Sequence, residues 1–113
     1  MKIIGIIPAR MESRRLPGKP LINIRGVSMI RRVYESVLNS NLFDKIIVAT
    51  PNQEIYDHVS EFGKTVMTSN KPLNGTERVF EAYQKLDDKF DFIVNVQGDE
   101  PFINPNQIKE LIK

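Results

Sequence analysis

Four short apolar runs alternate along the chain with stretches in which apolar residues recur every three or four positions. Ile3-Ile4-Gly5-Ile6-Ile7, Lys45-Ile46-Ile47-Val48-Ala49-Thr50, a shorter segment from about Thr65 to Thr68, and Phe92-Ile93-Val94-Asn95-Val96 have the near-continuous apolar character of strands buried on both faces. Between them the period changes. Ser28 reads as the N-cap of a helix through about Asn39, with Ile30, Val33, Tyr34, Val37 and Leu38 on one face. Pro51-Asn52 opens a second helix carrying Ile55, Val59 and Phe62 until Gly63 ends it. A third helix, from about Thr76 to Leu86, is expected to bury Val79, Phe80, Tyr83 and Leu86. Asn104-Pro105 then starts a last helix with Ile108, Leu111 and Ile112 facing inward. After the first strand, Leu21 to Ile24 is extended and Arg25-Gly26 turns.

Strands alternating with amphipathic helices imply a mostly parallel sheet joined by right-handed crossovers, a Rossmann-like three-layer α/β/α sandwich. In a doubly wound sheet the first strand commonly lies beside the fourth, giving the order 3-2-1-4, and ligands bind beyond the carboxyl ends of the strands where that order reverses. The 113 residues read as one nucleotide-binding α/β unit. With the fourth strand as an uncovered sheet edge, that unit is expected to be half of a longer fold, either a fragment or a chain completed by a partner.

Composition narrows the chemistry. One histidine and no cysteine exclude disulfides, thiolate nucleophiles and Cys/His zinc sites, leaving carboxylates and oxygen-loving cations, with Mg²⁺ favoured. A formal net charge of +2 is too small for a general nucleic-acid binder. No charged-then-apolar leader precedes the first strand and no apolar run approaches the roughly 20 residues a bilayer requires, so a soluble cytoplasmic protein without a membrane partner is expected.

Charge is nevertheless concentrated where the sheet places its ligands. Arg10, Arg14, Arg15 and Lys19 follow the first strand in a loop whose path is fixed by Pro17, Gly18 and Pro20. A basic loop in general is a solvated surface; one leaving a buried parallel strand suits an anion. Asp99 and Glu100 follow the fourth strand, where an acidic pair is either an ordinary solvated turn or a holder of Mg²⁺ on substrate phosphates. Strand order 3-2-1-4 puts the two loops side by side and so favours a site for a nucleotide polyphosphate. Neither a Gly-x-x-x-x-Gly-Lys-Ser/Thr loop nor a Gly-x-Gly-x-x-Gly is present. Thr76 or Asn74 fits a helix start as cap and Glu77 as dipole complement, whereas Arg78 leaves the loop after the third strand on the same rim. His58 is expected to be exposed, with no neighbouring Ser or Cys, and is given no role; Tyr34, Phe62, Phe80 and Tyr83 fall at core spacing.

Three runs, in order, carry a resemblance: Ile7-Pro8-Ala9-Arg10-x-x-Ser13-x-Arg15-Leu16-Pro17-Gly18-Lys19-Pro20-Leu21, Gly75-Thr76-Glu77-Arg78, and Asn95-Val96-Gln97-Gly98-Asp99-Glu100-Pro101. Together they resemble the 3-deoxy-manno-octulosonate (KDO) cytidylyltransferases, over the whole of Met1 to Lys113. The resemblance implies a nucleotide-diphosphosugar-transferase-like fold and the reaction of CTP with KDO to give CMP-KDO and pyrophosphate, a step in lipopolysaccharide biosynthesis. It implies that Ala9, Arg10 and Ser13 line the cytidine and phosphate pocket, that Lys19, Arg15 and Arg10 neutralise the triphosphate, that Arg78 and Gln97 lie against the nucleotide, and that Asp99 binds Mg²⁺. Members of the family run to about twice this length and pair as homodimers, so the 113-residue chain alone is expected to have little or no activity. Two other readings stay open: a cytidylyltransferase for another acid sugar, and a non-catalytic nucleotide-binding or partner-completing half-domain.

Overall fold

In the computed structural model, residues 2–11, 21, 23–24, 26–69, 75–87, 89–96 and 109–112 are described. The organising element is β1 (Ile3–Pro8), whose residues Ile4, Ile6 and Ile7 have no solvent exposure. It pairs in parallel with β4 (Lys45–Thr50) on one side and with β6 (Phe92–Asn95) on the other. Beyond β4 lies β5 (Thr65–Met67), also parallel. The four parallel strands therefore run third, second, first, fourth in chain order, as the alternation of buried strands and amphipathic helices predicts.

Side chains on alternate strand positions enter two different cores. Ile7, Ala9, Ile46, Val48, Val94 and Val96 meet α1 (Met29–Asn39) and α2 (Gln53–Ser60), while Ile4, Ile6, Ile47, Ala49 and Ile93 meet α3 (Gly75–Gln84). Helices thus cover both faces, and the sandwich has three layers. α1 begins where Ser28 Oγ accepts the Arg31 N–H at 3.3 Å, and it buries Ile30, Val33, Tyr34 and Val37. A small antiparallel ribbon, β2 (Asn23–Ile24) and β3 (Val27–Ser28), leads into it through Gly26, whose φ of 85° lies in the left-handed region.

Two aspartates clamp the amino end of β1. Asp44 Oδ2 accepts the Ile3 N–H at 2.7 Å while its own N–H donates to Ile3 O at 2.8 Å; Asp91 does the same at Lys2, with both bonds at 2.8 Å. Each caps a neighbouring strand's start onto the central one, so the ladder is registered before its first residue pair.

The structure corrects four expectations. Lys109–Ile112 is a strand, β7, antiparallel to β6, and not the body of a last helix. A short apolar pattern at Ile108, Leu111 and Ile112 does not discriminate helix from strand, and the backbone groups along β6 gain partners from the pairing. For the same reason the fourth parallel strand is not an uncovered edge. His58 is half-buried: its Nε2 lies 2.6 Å from Ser28 Oγ and its ring packs edge-on to Phe62 at 5.4 Å, joining α2 to the start of α1. Leu38 and Phe80 point outward, 54% and 45% exposed, because each sits at the margin of its helix's apolar arc.

Candidate functional site

Because β1, β4, β5 and β6 are parallel, their carboxyl ends open on one rim, and the chain's order reverses between β1 and β6. The rim is built on the residues that follow each strand. Ala9 is buried and donates its N–H to Ala49 O at 2.9 Å; Arg10, next along, is exposed. Met11 donates its N–H to Asn52 Oδ1 at 2.9 Å, and the Asn52 N–H is held in turn by Thr50 Oγ1 at 3.1 Å. On the other side of β1, Val96 donates to Ile6 O at 3.0 Å, so the segments leaving β1 and β6 start as neighbours.

α3 meets this rim with its first turn. Asn95, at the end of β6 and 4% exposed, donates from Nδ2 to Thr76 Oγ1 at 3.3 Å, fixing the helix start against the strand. Arg78, in that first turn, is also only 4% exposed. Glu81, one turn further, receives the Ser69 N–H at 2.6 Å and the Ser69 hydroxyl at 2.7 Å, and lies 3.4 Å from Lys85 Nζ. Those bonds, that from the Ser69 hydroxyl foremost, hold its carboxyl below the usual carboxylate value against the opposing effect of burial. The segment leaving β5 is thereby fastened to α3.

Of the five buried polar or charged side chains among the described residues, Thr50, Thr68, Arg78 and Asn95 come from the rim or the helix turn facing it, and Ser28 caps α1. Thr68 Oγ1 and Asn95 Oδ1 have no hydrogen-bond partner within the described residues. Buried oxygens of this kind are uncommon in folded proteins, and a water or an ion is among the groups that satisfy them. With the chain's one histidine on α2 and no cysteine anywhere, the electron-pair donors here are oxygens of amide and hydroxyl type, a set that suits a hard cation better than a soft one.

Of the residues expected to form the site, the structure brings Ala9 and Arg10 to the end of β1 and Arg78 to the facing turn of α3, where the guanidinium-bearing side chain is buried rather than displayed. Ser13, Arg15, Lys19, Gln97 and Asp99 lie outside the described residues. No group of three or more metal-ligating side chains occurs among the described residues. Asn52, Thr68, Asn95 and the Glu81–Ser69 pair went unremarked as site builders. Asn95 alone had a visible signal, a polar residue inside the buried run Ile93-Val94-Asn95-Val96.

Comparison with known proteins places this arrangement. The cytidylyltransferase family pattern matches residues 4–113. A 3-deoxy-manno-octulosonate cytidylyltransferase of Parabacteroides distasonis is 52% identical over 112 residues, covering 98% of this chain and 44% of its own length. The enzyme of that name from Chlamydia pneumoniae is 50% identical over 111 residues, 97% of this chain and 44% of its own. Among solved structures, a CMP:2-keto-3-deoxy-manno-octonic acid synthetase complexed with CTP superposes with a TM-score of 0.86 at 42% identity, covering 94% of this chain and 44% of that one. A cytidylyltransferase from Leptospira borgpetersenii superposes at 0.74 with 27% identity, over 94% of this chain and 45% of that one. The chain thus spans less than half the length of each of these four relatives. With residues 4–113 matched by the family pattern and relatives about half identical over nearly its whole length, the chain belongs to the cytidylyltransferase family.

Proposed function

We propose that these residues are the nucleotide-binding part of an enzyme that couples CTP to KDO, forming CMP-KDO and pyrophosphate for lipopolysaccharide assembly. The observation that carries this reading is the parallel neighbourhood of β1 and β6, whose carboxyl ends start the basic segment and the acidic segment on one rim. In the reaction a sugar hydroxyl oxygen attacks the α-phosphorus of CTP, the bond to the bridging oxygen breaks, and pyrophosphate leaves. No covalent enzyme intermediate is required, so rate comes from alignment and from cations placed where charge develops. Ala9, Arg10 and Ser13 would hold the cytidine and its first phosphate; Lys19, with Arg15 and Arg10, would neutralise the departing pyrophosphate. Arg78 and Gln97 would face the nucleotide from α3 and from beyond β6. Asp99 would hold Mg²⁺, which when bound offsets phosphate charge.

The acid sugar is supported by the relatives' names and by the match of the three runs. A homodimer and a cytoplasmic site of action are further parts of the proposal; among the described residues no helix is long and apolar enough to cross a membrane. Titration of the 113-residue chain with CTP in Mg²⁺ tests the reading. CTP is expected to bind in preference to UTP and GTP, Lys19→Ala to weaken binding about 10- to 100-fold as a charge-assisted contact is lost, and CTP with KDO to yield almost no pyrophosphate. Equal affinity for all three nucleotides would overturn the cytidine assignment, and turnover at rates typical of full enzymes would overturn the view that this part binds without completing the sugar site.

A further inference from the structure

We infer that Asn52 is a positioning residue for the segment that carries Arg10, its side-chain oxygen continuing the β1–β4 ladder past the point where the backbone of β4 can. The inference rests on the reading of that segment as nucleotide-binding. In a parallel ladder, alternate residues of one strand bond to alternate residues of its neighbour. Ala9 donates to Ala49 O, so the next donor on that side is Met11 and the next acceptor in sequence step is the carbonyl of Pro51. Pro51 has no N–H to donate back, and the chain turns there into α2. The bond is made instead by Asn52 Oδ1, at 2.9 Å from the Met11 nitrogen.

Asn52 gives up its ordinary use to do this. It is the N-cap of α2, with φ −104° and ψ 124°, the position where an asparagine side chain commonly accepts an N–H of the first helical turn, yet it makes no such bond. Thr50, with no solvent exposure, fixes the residue by accepting its N–H, so the side chain is presented to β1 from a buried footing. The N–H groups of Ala9 and Met11, on either side of Arg10, are thus both held from the β4 side, one by the Ala49 carbonyl and the other by Asn52. Asn52 therefore fixes the backbone at Met11, the residue next to Arg10.

Asn52→Ala and Asn52→Asp in the 113-residue chain test this, read by amide hydrogen exchange at Met11 and by titration with CTP and Mg²⁺. For Asn52→Ala the Met11 amide is expected to exchange at least about tenfold faster while the amides of α2 hold their rates, and CTP to bind about 5- to 10-fold more weakly. Asn52→Asp keeps an acceptor at the same reach and is expected to restore Met11 protection to within about threefold. Unchanged Met11 exchange in Asn52→Ala, or faster exchange spread evenly over α2, overturns the inference. So does faster Met11 exchange with undiminished CTP affinity. Should the unaltered chain fail to bind CTP, the nucleotide reading falls, and Met11 exchange still decides whether Asn52 holds the segment.

Discussion

Glu81 shows how a single side chain ties the rim together. Its carboxylate accepts two hydrogen bonds from Ser69 and faces Lys85, and these favour the charged form, so its folded pKa lies below the ordinary 4.5. A depressed folded value means the unfolded chain takes up the proton first as pH falls. The stabilisation is complete above 4.5 and is lost as pH drops through the folded value. Glu81→Gln is therefore expected to cost about 1 kcal/mol at neutral pH, the scale of charge-assisted bonds on a partly exposed group, and progressively less as the medium is acidified below 4.5. Urea unfolding of both forms across that range measures the gap; a gap that stays constant with pH would show that charge plays no part. Residues of this kind were the least legible in the sequence. Asn52 reads only as a helix opener and Glu81 carries no signal of its own, because their partners, Met11 and Ser69, are 41 and 12 residues away and nothing local marks the pairing.

Elements were more legible, since their causes are local. Ser28, the apolar spacing of Ile30, Val33, Tyr34 and Val37, and the end at Asn39 are all visible in the α1 sequence, and all stand in the fold. What spacing cannot tell is how wide a face the sheet covers, and so Leu38 and Phe80 were assigned to the core and lie outside it. Nor does it tell where the helix stops or why a glycine is needed past its end: α2 closes at Ser60, three residues before the Gly63 expected to end it. Gly63 follows α2 where a Cβ would stand 2.5 Å from Tyr34 Cζ and 2.7 Å from Cε2, while the Tyr34 ring is held edge-on to Phe62 at 5.4 Å. A stiff, buried ring between α1 and α2 cannot yield that distance by a rotamer change. Gly63→Ala is expected to destabilise the chain by about 2 kcal/mol, the usual scale for an overpacked core. In a Tyr34→Leu background the same change should cost less, and equal costs in the two backgrounds, read by urea unfolding, would refute the steric account.

At the scale of the whole molecule, the order of the four parallel strands followed from their alternation with helices and from the rule of the switch point, whereas β7 did not, since four residues pairing with a distant strand leave no periodic trace. That order makes a ranking of local stability. β1 has ladder partners on both sides, its amino end is clamped by Asp44 and Asp91, and its residues Ile4, Ile6 and Ile7 are wholly buried between two layers. β5 stands at the end of the sheet, three residues long, each partly exposed, and paired among the described residues with β4 alone. Opening β5 breaks one short ladder; opening β1 dismantles the molecule. Native-state hydrogen exchange should therefore find the β1 amides protected to the level of global unfolding and those of β5 exchanging about 100-fold faster or more. Protection of β5 equal to that of β1 would mean that another strand covers its outer side, and the rim on which Ala9, Arg10 and Asn95 are placed would then lie nearer the middle of a wider sheet.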